Sequence, residues 1–120
     1  MRYLAKRVER ICDELYRLRI VQRIPLTDLI CKKGTYIRPE AADAATPPWT
    51  SFDSRTMHWY GPDEYYLFRT EFTVPKALNG KAMWLNVRTQ IEGDDGKNPQ
   101  FLLFVNNVPV QGMDVNHRDV

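Results

Sequence analysis

Histidine and cysteine are scarce in this chain, two of each in 120 residues. Cys12 and Cys31 form no C-x-x-C pair, and His58 and His117 lie far from both, so the ligand spacing of a structural zinc site is missing. Two cysteines do not make a disulfide framework either, and no Asn-x-Ser/Thr acceptor occurs. Long apolar runs are absent: no window approaches a membrane span, and residues 1–23 are charged throughout, which excludes the apolar core of a signal peptide. These absences predict a reducing, cytoplasmic setting with no membrane. An excess of one charge is also missing. Seventeen Lys and Arg face 15 Asp and Glu, and a net +2 is too weak to imply nucleic acid. G-x-S-x-G, P-loop, G-x-G-x-x-G and H-E-x-x-H patterns do not occur, so the sequence names no catalytic residue and no metal ligand of its own.

What is present begins with size. A 14.1 kDa chain is one small domain at most, expected to bury roughly 65% of its unfolded surface. Of three Trp, six Tyr and five Phe, most crowd between Trp49 and Phe104, a density that suits a β core or a sugar platform. Ahead of them, residues 1–23 predict a helix. Leu4, Val8, Ile11, Leu15 and Leu18 recur at spacings of 4, 3, 4 and 3, one apolar stripe. Arg2, Lys6, Arg7, Arg10, Arg17, Arg19 and Arg23 dominate the other face against Glu9, Asp13 and Glu14. Such a helix can lie on a membrane or nucleic acid, or be a solvated face with Glu9, Asp13 and Arg17 pairing at one-turn spacing. The stripe also fits docking against another helix or domain.

Pro25 is expected to end that helix, with Leu26–Ile30 a short turn or strand and Lys32-Lys33-Gly34 its punctuation. Residues 35–61 read as irregular, their rings sealing a core. Strands follow. Tyr66, Phe68, Phe72 and Val74 alternate through 65–74, and Met83, Leu85 and Val87 through 81–89, so these apolar positions are expected to share one core. Residues 101–110 predict a hairpin around Asn106-Asn107, a pair tolerant of the positive φ that a primed turn demands. Pro109 places the return strand at an edge.

Two polar stretches invite a chemical reading. Glu92, Asp94 and Asp95 lack the alternating oxygens and closing Glu of a calcium loop, and loop neighbours cannot flank a bond across a cleft, so they read as solvated acids. Residues 111–118 hold Gln111, Gly112, Asp114, Asn116, His117 and Arg118, a poor strand and a plausible binding loop. Gln111, Asp114 and His117 are the candidate substrate or interface residues. His117 beside Asp114 and Gln111 either holds a sugar hydroxyl or braces a turn.

Several segments in order resemble one family. They are IPLTDL at 24–29, Trp49 with Trp59-x-Gly61-x-Asp63, YLFRTEFTVP at 66–75, Gly80 with Trp84-Leu85, Glu92-Gly93, and LLFVNNVPVQGMDVNHRDV at 102–120. Together they are similar to the amino-terminal region of the family 38 glycoside hydrolases, the retaining α-mannosidases of cytosolic and bacterial type. The stretch from Asp94 to Gln100 is longer than the family's brief link, and Asn107 stands where glycine is usual.

The resemblance implies a mainly β chain with an N-terminal helix, a partial galactose-binding-like β-sandwich (jelly roll) that is a fragment of a longer polypeptide. Residues 1–34 would form the amphipathic helix and connector, and 35–120 the sandwich, incomplete at its C-terminus. The function implied is an accessory domain of an α-mannosidase, supporting a downstream catalytic domain and lining the cleft for a mannose-containing oligosaccharide. In that family an aspartate nucleophile and a zinc ion held by His and Asp do the chemistry. Those motifs match nothing in these 120 residues, so the chain alone is expected to be non-catalytic and to carry no cofactor. The alternative is a freestanding carbohydrate-binding module. No nucleic acid is expected as a partner, and the stripe of the helix makes a homo-oligomer an expectation as well.

Overall fold

Alternating i, i+3 and i, i+4 apolar positions make the first element a helix, α1 (Arg2–Leu18), in the computed structural model. The structure describes residues 2–91, 94, 95, 99–114 and 116–120, with backbone only for 2, 90, 91, 94 and 95. α1 stops at Leu18 rather than running to residue 23. The apolar period fails there: the next stripe position is Gln22, and β-branched Ile20 and Val21 are weak helix formers with no tertiary support. Every side chain from 3 to 25 is exposed, so α1 projects away from the rest of the chain.

The connector is a strand, β1 (Asp28–Lys33). It is the centre of a three-stranded antiparallel sheet, β2-β1-β3, with β2 (Thr50–Asp53) and β3 (Tyr66–Arg69) as its edges. Cys31 aligns with Thr50 on one side and with Phe68 on the other. The segment expected to be irregular thus contains β2 and also a short helix, α2 (Pro39–Asp43), started by proline at its first position. The strand expected over 65–74 is shorter. It ends at Arg69, and residues 70–75 leave the sheet, so Phe72 is 38% exposed.

Residues 81–89 form no strand of their own. Leu85 N–H donates to Val120 O at 2.7 Å, Val120 N–H returns to Leu85 O at 3.0 Å, and Val87 N–H donates to Arg118 O at 3.0 Å, a single antiparallel bridge. Met83 is exposed and Leu85 and Val87 only half-buried, which corrects the expected core. β4 (Gln90–Ile91) and β5 (Asp94–Asp95) pair as a short ribbon.

The predicted hairpin is present as β6 (Phe101–Val105) and β7 (Val108–Met113). Asn106 and Asn107 sit at φ 50° and 64°, the left-handed pair of a type I′ turn. The register skips Val110: Phe104 faces Pro109 while Leu103 faces Gln111. This bulge re-phases the strand, which continues to Met113 instead of stopping at Val110, and turns Met113 inward to 4% exposure.

Aromatic rings join the two sheets. Phe52 and Phe68 meet edge to face at 5.0 Å, and Trp59 contacts Tyr66, Phe68 and Phe101 at 5.8, 5.6 and 5.8 Å. Trp59, from a loop, is therefore the ring that ties the three-stranded sheet to the hairpin. The architecture is β-rich with one N-terminal helix, a three-stranded antiparallel sheet, the β6-β7 hairpin and the short β4-β5 ribbon, and the described residues contain no barrel.

Candidate functional site

The bulged hairpin aims the turn that follows it. Asp114 N–H donates to His117 O at 3.3 Å and His117 N–H donates back to Asp114 O at 3.2 Å, closing a tight loop. Inside it, Asp114 Oδ1 accepts from the N–H groups of Asn116 and His117, both at 2.8 Å, and sits 2.9 Å from His117 Nδ1. This is an Asx turn, in which a short carboxylate replaces backbone acceptors. The Asn116 N–H, followed by the His117 ring and the His117 N–H, holds the Asp114 carboxyl below its usual pKa. The carboxylate in turn fixes Nδ1 of the ring, so Nε2 is the nitrogen His117 turns outward, on a side chain 72% exposed.

The structure therefore brings Asp114 and His117 together and leaves Gln111 apart. Gln111 is exposed on β7 opposite Leu103, within the strand rather than within the turn. The expected loop is shorter than 111–118, because Gln111, Gly112 and Met113 belong to the strand. Asp114 also lines a shallow cavity of about 220 Å³ with Gln100, Phe101, Gly112 and Met113.

A second concavity, about 370 Å³, lies beside the three-stranded sheet. Phe52, Trp59 and Tyr66 supply its apolar wall, and His58, Tyr60, Lys33 and Glu64 its polar rim. Lys33 Nζ pairs with Glu64 Oε1 at 2.9 Å, and that hydrogen bond raises the lysine pKa. Its volume is at the small end of ligand sites. Rings backing polar rims are what a sugar requires, and no common spacing links these residues along the chain.

The most unusual side chain is one that sequence reasoning passed over. Lys32, read as punctuation, is 2% exposed. Its ammonium donates to the carbonyl oxygens of Ala42 and Ala45 and lies over the rings of Tyr36 and Trp49, at 5.5 and 5.8 Å from their centroids. Arg69 stacks on the same indole at 4.5 Å and bonds Asp43 Oδ1 at 2.7 Å, to which the Trp49 N–H also donates. The hydrogen bond from Arg69 depresses the Asp43 pKa. This cluster pins the 36–49 excursion over the sheet; with its charges paired and capped it is built for structure. The one signal in the sequence is Lys32 followed by Tyr36 and Trp49, and only β1 pairing places them together.

Among the described residues, no group of three or more His, Cys, Asp or Glu is arranged to hold a metal ion. Glu92 lies outside the described residues, as do the side chains of Asp94 and Asp95. Cys12 and Cys31 are both free thiols. No described helix is long and apolar enough to cross a membrane. No family model matches the chain, and neither curated proteins nor solved structures give a significant match.

Proposed function

We propose that this chain is the N-terminal accessory domain of a retaining α-mannosidase, with a galactose-binding-like sandwich completed by chain beyond residue 120 and catalysis in a downstream domain. The observation that carries the reading is the Asp114–His117 turn. A bulged hairpin ends in a carboxylate held by three hydrogen-bond donors, and that carboxylate, which itself lines a shallow cavity, engages the exposed His117 ring through Nδ1 and leaves Nε2 for a partner. Holding such a turn costs conformational entropy, which suits a group that must meet a partner surface or a sugar hydroxyl in one orientation. The ordered resemblance of 24–29, 66–75 and 102–120 to family 38 supplies the substrate class, an α-mannoside. The catalytic aspartate and the zinc ligands belong, on this reading, to the downstream domain.

The test is to compare Asp114→Ala and His117→Ala in the full-length enzyme. A loss of kcat/KM beyond tenfold, about 1.4 kcal/mol, with unchanged melting marks a substrate contact. A drop in melting with intact kinetics marks an interface role. If neither moves, the turn is plain surface and the proposal fails at this site. The 120-residue chain alone is expected to release no aryl α-mannoside product, with or without zinc.

The groove beside Trp59 favours a second reading, a freestanding carbohydrate-binding module. Tyr60 is largely exposed on its rim, the placement a sugar-stacking ring needs. Titration of the chain with a mannose oligosaccharide decides it: saturable binding lost in Tyr60→Ala supports the module, and its absence removes it.

A further inference from the structure

The apolar stripe of α1 is a two-in-seven seam. With Val8 and Leu15 at the first position of a heptad and Leu4, Ile11 and Leu18 at the fourth, the residues flanking the seam are Arg7 and Glu14 on one side and Ala5 and Cys12 on the other. All are exposed, and nothing in the described fold covers them. We propose that this seam docks on a second copy of itself, as an antiparallel helix pair.

The choice of occupant follows from the flanks. In an antiparallel pair, Val8 layers with Ile11 of the second copy and Leu4 with Leu15. That register sets Arg7 of each helix beside Glu14 of the other, twice by symmetry. On the opposite flank it sets Ala5 beside Cys12, two small side chains that let the backbones close. Both charged positions of the first flank meet their opposites, and both small ones of the second meet a small one. In a parallel pair Glu14 would meet Arg19, but Arg7 would meet Cys12 and remain uncompensated. A membrane surface fits less well. Glu14 borders the seam directly, where an anionic headgroup would repel it, and the stripe carries no Trp or Phe and is narrower than an interfacial helix needs. Glu14 already receives Arg10 Nε at 3.3 Å within its own helix, and a carboxylate has a second oxygen for an intermolecular partner. The inference is independent of the mannosidase reading, since it uses α1 alone.

The experiment is sedimentation velocity on the 120-residue chain across the micromolar range, with Arg7→Glu, Glu14→Arg and the double reversal. The wild type is expected to be a concentration-dependent dimer. Each single reversal replaces two attractions by two repulsions and should weaken association roughly tenfold, while the double reversal restores it. Far-ultraviolet circular dichroism checks helicity, and the double variant controls for loss of the Arg10–Glu14 pair because it carries the same substitution at position 14. A monomeric wild type overturns the proposal. So does weakening by Glu14→Arg alone, unrepaired by Arg7→Glu, which indicates a parallel pair. If the wild type stays monomeric yet binds vesicles of anionic phospholipid, and Glu14→Arg tightens that binding, the seam belongs to a membrane.

Discussion

Lys32 is a charge that the fold keeps out of water, and the arrangement around it sets what removing it does. Two carbonyl oxygens near the end of α2 have its ammonium as their donor, and two ring faces complete the shell. Lys32→Met keeps the stem but strips those carbonyls of their donor, so it should cost about 2–3 kcal/mol, read as a fall in the urea midpoint. Lys32→Arg should not rescue it, because the longer, planar guanidinium does not fit a buried site shaped around a compact ammonium. The neighbouring Lys33, exposed and paired with Glu64, should leave the midpoint nearly unmoved when replaced by Met. Three carboxylates give a pH dependence of definite sign. Arg55 lowers Asp53 from the usual 3.8 to about 2 through side-chain and backbone hydrogen bonds, and Asp43 and Asp114 are lowered as well. A depressed folded pKa means that folding favours the ionised form. Their stabilisation is therefore complete above the unfolded value near 3.8 and is lost as pH falls through the folded values, toward about 2 for Asp53. All three are solvent-facing, so salt should flatten the effect. Urea midpoints between pH 5 and pH 2 should fall more steeply for the wild type than for Asp53→Asn.

At the scale of elements, period and turn chemistry were readable and long-range pairing was not. The α1 stripe and the Asn106-Asn107 turn each depend on neighbours a few residues away, so the helix and the β6-β7 hairpin were legible. β1 and β2 were not. Asp28–Lys33 has lysines at its end and no alternation, and it is a strand because β2 and β3 flank it, 19 to 39 residues away in its aligned pairs Cys31–Thr50 and Ile30–Arg69. Phe72 shows the converse: its alternation with Phe68 is perfect, yet the strand ends at Arg69 and the ring stays partly in water. The candidate site divides the same way. Asp114 and His117 sit three apart and were found together, whereas Lys32, Tyr36 and Trp49 needed the sheet. Substitutions should follow burial rather than pattern. Phe52→Ala, at 7% exposure, should cost about 3–5 kcal/mol, and Phe72→Ala about 1 or less. In the turn, Asn107→Ala should cost about 1 kcal/mol because alanine resists φ 64°, and Asn107→Gly should match or exceed the wild type. Thermal melts of these variants check both orders.

The whole molecule exposes 10705 Å², against about 6,700 Å² for a compact monomer of its mass. Its radius of gyration is 18.1 Å, where about 13.6 Å is usual for this length. Only about half the unfolded surface is buried, short of the roughly two-thirds expected from size. The excess has identifiable owners: α1 along its whole length, Trp84 and Met83 beside the single bridge, and the hairpin, where Leu102, Val105, Val108 and Val110 stand in solvent. Open sheet faces next to a free helix are the form expected of a chain whose covering surfaces lie on a partner or on another copy. The slope of stability against denaturant reports this directly, since it scales with the surface exposed on unfolding. For the 120-residue chain at low concentration that slope should be about two-thirds of the value for a compact domain of equal length. If α1 pairs with a second copy, the urea midpoint should also rise with protein concentration, because a partner that binds the folded chain stabilises it by mass action. The slope of a compact domain would show that these faces are already closed within the chain. A low slope with a midpoint independent of concentration would show that the open faces are not covered by a second copy.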